Sequence, residues 1–333
     1  MLVLISIVGL IIFIIGYGGV DAVLSEINQI RSGKVERNTI AAIARMFTSY
    51  SVVALLISFI KLYTTKSNNT KIYGFLLFMS STVITLISSI MSGGRGRLII
   101  PFLLLYLAKV VIDKKWNIGK MIILGTIACF VILFGPTILQ NISYGLEYII
   151  DSIDMSNADA LIKKIIGEFT HPFYSLLVAM EVTEDESKLL LFRNPIYTIL
   201  FFGNLFGFDY NGTISHYNTQ YILGDFDSNI PPGVVASGYY DLYFLGVIIT
   251  GILFGCFIGY TQAFYNMIFK NNEYSEINLA LYLILANSIA QFVFNGDIRV
   301  TIMGNFSTMI LFLMLYILNS KIIIRKRFFN SVK

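Results

Sequence analysis

The sequence predicts an all-α, polytopic membrane protein with about eight or more transmembrane helices and one large extracytoplasmic region of short helices and irregular loop. Hydrophobic residues make up 56% of the 333 residues, charged residues only 13%, and the mean hydropathy is +0.73. The apolar residues are gathered into runs of about 17 to 25, the length at which a helix crosses a hydrocarbon core. A water-soluble globule needs more polar surface than this composition supplies.

Eight apolar runs are long enough to be predicted spans. In chain order they lie at residues 2–20, 46–63, 72–92, 98–113, 119–139, 239–264, 276–294 and 300–319. We expect the first run to be a retained span rather than a signal peptide, because no basic segment precedes it. Residues 1–333 are therefore interpreted as a single integral membrane domain, in which 140–238 form the extracytoplasmic region between the fifth and sixth spans.

The region 140–238 is not predicted to be a simple loop. Residues 145–170 have helical periodicity, and the apolar runs Phe169–Met180 and Ile196–Phe206 are too short to span a bilayer. Both runs predict interfacial or re-entrant helices. From Gly207 to Gly238 the composition changes to Gly, Asn, Asp, Tyr and Pro, which predicts an irregular segment over the membrane surface.

The distribution of lysine predicts the orientation. Strict alternation of the spans gathers eleven lysines and two arginines on one face, which the positive-inside rule makes cytoplasmic, together with both termini. The opposite face receives seven of the nine arginines: Arg31, Arg37, Arg45, Arg95, Arg97, Arg193 and Arg299. A planar guanidinium matches two phosphate oxygens and keeps its charge when desolvated, so these arginines indicate an anionic ligand on the outer face.

The sharpest local motif is Ser92-Gly93-Gly94-Arg95-Gly96-Arg97. Its glycines allow a tight turn and close backbone approach to a ligand, and its backbone N–H groups add donors beside two guanidinium groups. The motif therefore predicts a phosphate or diphosphate site, without the spacing of a nucleotide P-loop. Arg299, in the turn Asn295–Arg299, supplies a third cation, unless Asp297 simply pairs with it.

Three further residue groups are candidates for chemistry or binding. His171 is a candidate general base, and Glu168, three residues earlier, would share a helix face with it. His216 and Tyr217 are candidate sugar contacts, although tyrosines here are also typical of a membrane-interface belt. Cys129 and Cys256 lie inside apolar runs and the two histidines lack ligand-like spacing, so we expect no metal site and no cofactor.

These residues carry a resemblance to a known family. The Ser92–Arg97 motif opening a span, the large extracytoplasmic region before the late spans, and the stretch Asn229–Val235 running into Tyr240–Gly246 resemble the O-antigen or oligosaccharide repeat unit polymerases (Wzy). The resemblance covers most of the chain from about residue 70. Family members commonly have ten or more spans, so the resemblance implies that short helices in 140–238 are undercounted or that N-terminal spans are missing.

The resemblance implies a GT-C-like, metal-independent glycosyltransferase of the bacterial cytoplasmic membrane. Such an enzyme joins oligosaccharide repeat units carried on undecaprenyl diphosphate into O-antigen or capsular polysaccharide on the extracytoplasmic face. Its partners would be the lipid-linked oligosaccharide, membrane lipid, and a chain-length regulator and flippase of the same pathway, with no nucleic acid. The implied roles are diphosphate binding by Arg95, Arg97 and Arg299, and proton abstraction by His171 or Glu168.

Three other functions are alternatives to this one. An O-antigen ligase differs mainly in its acceptor, which the sequence does not identify. A polysaccharide or lipid transporter would show repeats and broken or charged residues at the bilayer midplane, whereas the predicted span centres carry few charges. A membrane acyltransferase would need a histidine facing a cytosolic donor, whereas both histidines are predicted on the outer face.

Overall fold

The structure is a computed structural model, and the part of the chain that it describes is all-helical, with no strand. It describes residues 1–27, 30, 38–93, 95–144, 158–186, 189–192, 214–224, 230–271, 276–298, 301, 304–311 and 313–314. The all-α prediction is confirmed for these residues.

The labelled helices follow one another in the order α1 to α11. Their bounds are α1 Leu2–Gly16, α2 Val20–Ser25, α3 Thr39–Phe47, α4 Tyr50–Thr64, α5 Asn68–Met91, α6 Arg95–Asp113, α7 Ile118–Tyr144, α8 Ala158–Glu186, α9 Ile214–Leu223, α10 Gly233–Asn271 and α11 Glu276–Asn295. Residues 304–311 are also helical.

Four stretches of the described chain are long and apolar enough to cross a membrane. They are Thr39–Thr64, Lys71–Met91, Gly233–Ala263 and Glu276–Asn295. Four of the predicted spans lie at these helices, namely 46–63, 72–92, 239–264 and 276–294. These four helices are therefore compatible with a multi-pass membrane protein, which is the class that the composition predicts.

The other four predicted spans have helices of different lengths. The spans at 2–20 and 119–139 correspond to shorter apolar helices, which the described residues define at Leu2–Gly16 and Ile118–Val131. The span at 98–113 falls within α6, and the span at 300–319 extends beyond the described residues. A total of eight or more spans stays a prediction.

The segment 207–238 differs from its prediction. Instead of a continuous irregular segment, residues 214–223 form α9, and α10 begins at Gly233 rather than near 239. The apolar run Phe169–Met180 is not a separate short helix either, because it is the central part of the 29-residue α8. Tertiary hydrogen bonds to the polar side chains of α9, described below, explain why this polar sequence is helical.

Three apolar clusters are found among the described residues, and two of them join helices around the predicted site. The first joins α4, α6 and α11, and its most buried side chains are Val53, Leu56, Leu104, Ala108, Leu279 and Ala280. The second joins α8, α9 and α10 through Val178, Ala179, Ile214, Ala236, Tyr239 and Tyr240. The second cluster lies beside the predicted site residues of α8 and α9.

The candidate span Thr39–Thr64 is interrupted between α3 and α4 at Thr48 and Ser49. Hydroxyl groups bind the carbonyl oxygens at this break: the Ser6 hydroxyl donates to the carbonyl of Thr48 at 2.8 Å, and the Ser307 hydroxyl donates to that of Met46 at 2.7 Å. A membrane helix tolerates a break only where its freed polar groups find partners inside the protein. The break therefore ties α1 and the 304–311 helix to the end of α3.

Helix α10 contains a sharp kink at Leu242 and Tyr243, whose backbone angles are not helical. The two arms approach so closely that a Cβ on Gly246 would lie 2.0 Å from the carbonyl oxygen of Gly238. Beside the kink, the backbone N–H groups of Leu190 and Leu191 donate to the carbonyls of Tyr240 and Asp241 at 2.9 and 3.2 Å. The predicted motif Tyr240–Gly246 is thus a glycine-enabled bend rather than the start of a straight span.

Candidate functional site

The turn between α5 and α6 brings two arginines to one serine. The side chain of Arg97 donates from Nη1 to the hydroxyl oxygen of Ser92 at 2.8 Å, and Arg45 donates from Nη2 to the carbonyl oxygen of the same residue at 3.1 Å. Ser92 is 2% exposed, and Gly93 turns the chain there with φ +61°. Two guanidinium groups therefore bind the same buried residue at this turn.

Arg45 reaches the turn from the last turn of α3. Its guanidinium carbon lies 5.6 Å from the centre of the Phe13 ring, which is a cation–π distance. The ring of Phe13 in α1 therefore packs against the Arg45 side chain. The Thr48 hydroxyl donates to the Arg45 carbonyl at 2.7 Å, which secures the backbone at the end of the helix. Arg45 is half-buried, whereas Arg97 is exposed.

Arg97 is positioned through its backbone as well as its side chain. Proline has no N–H, so Pro101 cannot donate to the carbonyl of Arg97 four residues earlier in α6. The Ser89 hydroxyl of α5 lies 2.9 Å from that carbonyl oxygen and donates to it across the helix pair. The same hydroxyl lies 2.7 Å from the carbonyl of Thr85, its alternative acceptor within α5.

The three predicted diphosphate-binding arginines are described to different extents. Arg97 takes part in the cluster at Ser92, and we call Arg45, Ser92 and Arg97 the arginine turn. Arg95 begins α6, but its side chain lies outside the described residues, as does all of Arg299. Arg45 belongs to the arginines predicted on the outer face but not to the predicted site, and its contact with Ser92, 47 residues further along the chain, is a new finding.

A second group of contacts joins α8, α9, α10 and the turn after α11. The Ser215 hydroxyl donates to Oδ2 of Asp297 at 2.7 Å, and both residues are buried. At the same turn, Gly296 has φ +61°, and a Cβ there would lie 2.1 Å from the carbonyl oxygen of Gly233. Asp297 was considered only as a partner of Arg299, so its contact with α9 is a new finding.

The predicted general base lies beside this junction. His171 is half-buried on α8, and a Cβ built on Gly233 would lie 3.2 Å from the side chain of the next residue, Pro172. Glu168 precedes His171 by three residues on the same helix, which agrees with the predicted shared face, but its side chain lies outside the described residues. Pro172, the residue after His171, thus lies close to Gly233, which in turn packs against Gly296.

Asn218 is the centre of a buried hydrogen-bond network in α9. Its amide nitrogen donates to the Ser175 hydroxyl at 3.0 Å and to the Ile230 carbonyl at 2.9 Å, while its amide oxygen accepts from the Tyr240 hydroxyl at 3.0 Å. Asn218 and Ser175 are each 0% exposed. Because a buried polar group without partners costs free energy, this network holds α9 in one position against α8 and α10.

The two predicted glycan-binding residues lie next to this network. The Tyr217 ring packs edge-to-face against Tyr221 and Tyr240, with ring centres 4.9 and 5.3 Å apart, so its faces are partly used within the protein. Its hydroxyl is buried and has no hydrogen-bond partner among the described residues, which leaves a donor for a water or a ligand. The side chain of His216 lies outside the described residues, and glycan binding by both residues stays a prediction.

A small apolar cleft lies between α4, α5 and α6, next to the arginine turn. Ser89 lines the cleft and also bonds the backbone of Arg97. Thr85 contributes a hydroxyl that has no hydrogen-bond partner among the described residues. The remaining wall is almost entirely apolar and includes Leu55, Phe78, Leu98, Pro101 and Phe102.

In the described part of the chain, no three His, Cys, Asp or Glu side chains lie close enough to hold a metal ion. Comparison of the chain with protein-family models, with curated proteins and with solved structures gives no match.

Proposed function

We propose that the protein is a metal-independent glycosyltransferase that polymerises undecaprenyl-diphosphate-linked oligosaccharide repeat units into O-antigen or capsular polysaccharide. The reaction would take place on the extracytoplasmic face of the bacterial cytoplasmic membrane. The observation that carries the proposal is the arginine turn, where Arg45 and Arg97 both bind Ser92 within hydrogen-bond distance. Two cations at a buried turn, on the face predicted to be outside, fit the chemistry of a diphosphate leaving group.

The proposed reaction requires stabilisation of the negative charge that develops on the leaving diphosphate, and arginines can supply it without a metal ion. A hydroxyl of the acceptor repeat unit attacks the anomeric carbon of the donor, forming the new C–O bond. The bond from that carbon to the diphosphate oxygen breaks, and its electron pair leaves with the lipid diphosphate. Arginines held in advance near the developing charge lower the barrier without a reorganisation cost. Arg45 and Arg97 take this role here, together with the predicted Arg95 and Arg299.

A general base accepts the proton of the attacking hydroxyl. His171 is the first candidate, because an imidazole nitrogen can accept the proton of an attacking hydroxyl and the residue is half-buried on α8. Glu168 is the alternative on the same helix. Contacts of Pro172 with Gly233 and of Gly296 with Gly233 support a position for this base close to the turn that precedes Arg299.

The lipid carrier needs an apolar surface beside its diphosphate. The cleft between α4, α5 and α6 supplies such a surface, since it is lined by Leu55, Phe78 and Phe102 and is joined to Arg97 through Ser89. A polyprenyl chain in this cleft would leave its diphosphate at the arginine turn. This arrangement also fits an O-antigen ligase, so the product profile must separate the two enzymes.

The test is the surface polysaccharide profile of a deletion strain complemented with variants, with membrane expression confirmed. We expect Arg45→Ala and Arg97→Ala to leave a single capped repeat unit, and Arg45→Lys and Arg97→Lys to restore chains only partly, because lysine lacks the planar fork. Arg95→Ala and Arg299→Ala test the predicted partners. Lys66→Ala removes an exposed cation from the face predicted to be cytoplasmic and should give normal chains.

The possible outcomes separate the hypotheses. Long surface chains in the deletion strain itself would remove the polymerase assignment. Normal chains from both Arg45→Ala and Arg97→Ala would show that the arginine turn is not the site. If the deletion strain accumulates long chains on the lipid carrier that do not reach the cell surface, the protein is a ligase instead.

A further inference from the structure

Lysine side chains from two connections gather at one end of the protein. The Tyr63 hydroxyl, near the end of α4, donates to the Asp113 carboxylate at the end of α6, with distances of 2.8 and 3.0 Å to its two oxygens. The Lys109 ammonium lies 5.4 Å from the centre of the Tyr63 ring. These contacts place the connection after α4, residues 65–67, beside the connection after α6, residues 114–117.

The charge around these two connections is almost entirely positive. Residues 61–71 contain no Asp or Glu, and residues 105–121 contain only Asp113, which accepts from Tyr63. Six exposed lysines surround the two connections: Lys61, Lys66, Lys71, Lys114, Lys115 and Lys120. Lysine is a strongly hydrated point charge, so these side chains suit diffuse contact with a negative surface rather than a bidentate ligand.

A tryptophan is held at the edge of the lysine group. Trp116 is 64% exposed, and the chain around it is fixed, because the Tyr106 hydroxyl donates to the Asn117 carbonyl at 3.0 Å. The Asn117 side chain then caps α7 by accepting from the backbone N–H of Lys120 at 3.1 Å. Exposed Trp in a fixed turn is typical of a residue placed at a membrane–water interface.

The side chains that follow continue the change from polar to apolar. Ile118 is 73% exposed and Ile122 is 64% exposed, so the first turns of α7 present apolar side chains outward directly after Trp116. The order along the chain is therefore cation, interfacial aromatic, then hydrocarbon. A lipid molecule has the same order from headgroup to tail.

We infer that Lys114, Lys115 and Lys120, with Trp116 at their border, form a binding surface for the headgroups of anionic phospholipids. We call it the lysine–tryptophan surface. Charge complementarity favours a phosphate headgroup with a net negative charge, and the adjoining Trp116 and Ile118 favour a lipid over an acidic soluble protein. The surface lies at the end predicted to be cytoplasmic, and the inference is independent of the proposed enzymatic activity.

The test measures which lipids the full-length protein retains. The purified protein is equilibrated with equal amounts of phosphatidylglycerol and phosphatidylcholine in detergent, and the bound lipids are counted by native mass spectrometry. The variant Lys114→Gln/Lys115→Gln/Lys120→Gln removes the charge, and Lys114→Arg/Lys115→Arg/Lys120→Arg keeps it. An unchanged melting temperature in phosphatidylcholine alone shows that each variant is folded.

We expect the wild type and the arginine variant to retain phosphatidylglycerol in excess, and the glutamine variant to lose that excess by on the order of tenfold or more. Raising the salt concentration should lower the excess of the wild type, because exposed charges are screened. Two results would overturn the inference: equal excess in the wild type and the glutamine variant, or a wild-type excess that salt does not change. The salt experiment uses only the wild-type protein, so its result does not depend on whether a variant folds.

Discussion

The Ser215 hydroxyl donates a 2.7 Å hydrogen bond to the carboxylate of Asp297, joining two positions 82 residues apart. Ser215 is 0% exposed and Asp297 is 3% exposed, so the bond is made away from water. It ties α9 to the turn that follows α11. A charged or polar group in such surroundings depends on its partners, which makes this contact a sensitive point of the fold.

We expect Ser215→Ala to destabilise the protein by about 1–3 kcal/mol, because Asp297 loses a buried donor. The measurement is the apparent melting temperature in detergent. Ser80→Ala is the matched control, since Ser80 is exposed and bonds only within its own helix, to the Leu77 carbonyl at 3.0 Å. Equal melting temperatures for the two variants would contradict the prediction.

Gly296→Ala should be strongly destabilising. Its φ of +61° is unfavourable for alanine, and the new Cβ would lie 2.1 Å from the carbonyl oxygen of Gly233, so backbone must move. We expect a cost of about 2 kcal/mol or more. Gly255→Ala is the control, because a Cβ there would have no described atom within 4 Å. Equal melting temperatures for Gly296→Ala and Gly255→Ala in the same detergent would contradict this prediction.

Tyr240→Phe should cost about 1 kcal/mol, because it removes the hydrogen bond to Asn218 and keeps the aromatic packing. The bond is 3.0 Å long, and Tyr240 is 0% exposed. Tyr260→Phe serves as the control, since Tyr260 is 79% exposed. The measurement is thermal unfolding of both variants in the same detergent. A melting temperature of Tyr240→Phe equal to that of the wild type would mean that the Asn218 network does not depend on this hydroxyl.

A double-mutant cycle can test how Arg97 is positioned. With Pro101 in place, Ser89→Ala removes the hydroxyl donor at 2.9 Å from the Arg97 carbonyl. With Pro101→Ala, the new N–H can supply that bond within α6. We therefore expect Ser89→Ala to cost less in the Pro101→Ala background, with a coupling of about 0.5–1.5 kcal/mol. Additive effects on stability would show that Ser89 does not replace the missing donor.

Part of this architecture followed from local sequence signals. The apolar runs predicted the helices at Lys71–Met91 and Glu276–Asn295 to within a few residues, because run length is set by the thickness of a bilayer. The turn at Ser92 was also predicted, because glycine allows the positive φ found at Gly93. Both signals are contained within a short stretch of chain.

Helix α9 was missed for a physical reason. Its sequence is rich in Ser, Thr, Asn and Tyr, which have modest helix propensity and are equally typical of irregular chain. The helix is held by contacts from outside it: Asn218 with Ser175, and the Thr219 hydroxyl, which accepts from the backbone N–H of Ile230 at 2.7 Å. The local sequence of α9 does not show which hydrogen-bonding partners other segments will supply.

The sequence by itself predicted helices long and apolar enough to cross a membrane, the helical character of the described chain and the turn after Ser92, since these follow from hydropathy and backbone conformational preference. Only the tertiary structure decided that Arg45 joins Arg97 at Ser92 and that Ser215 joins Asp297, across 47 and 82 residues. Helix packing and rotation set which side chains face one another, and these depend on the whole set of interhelical contacts rather than on any single segment.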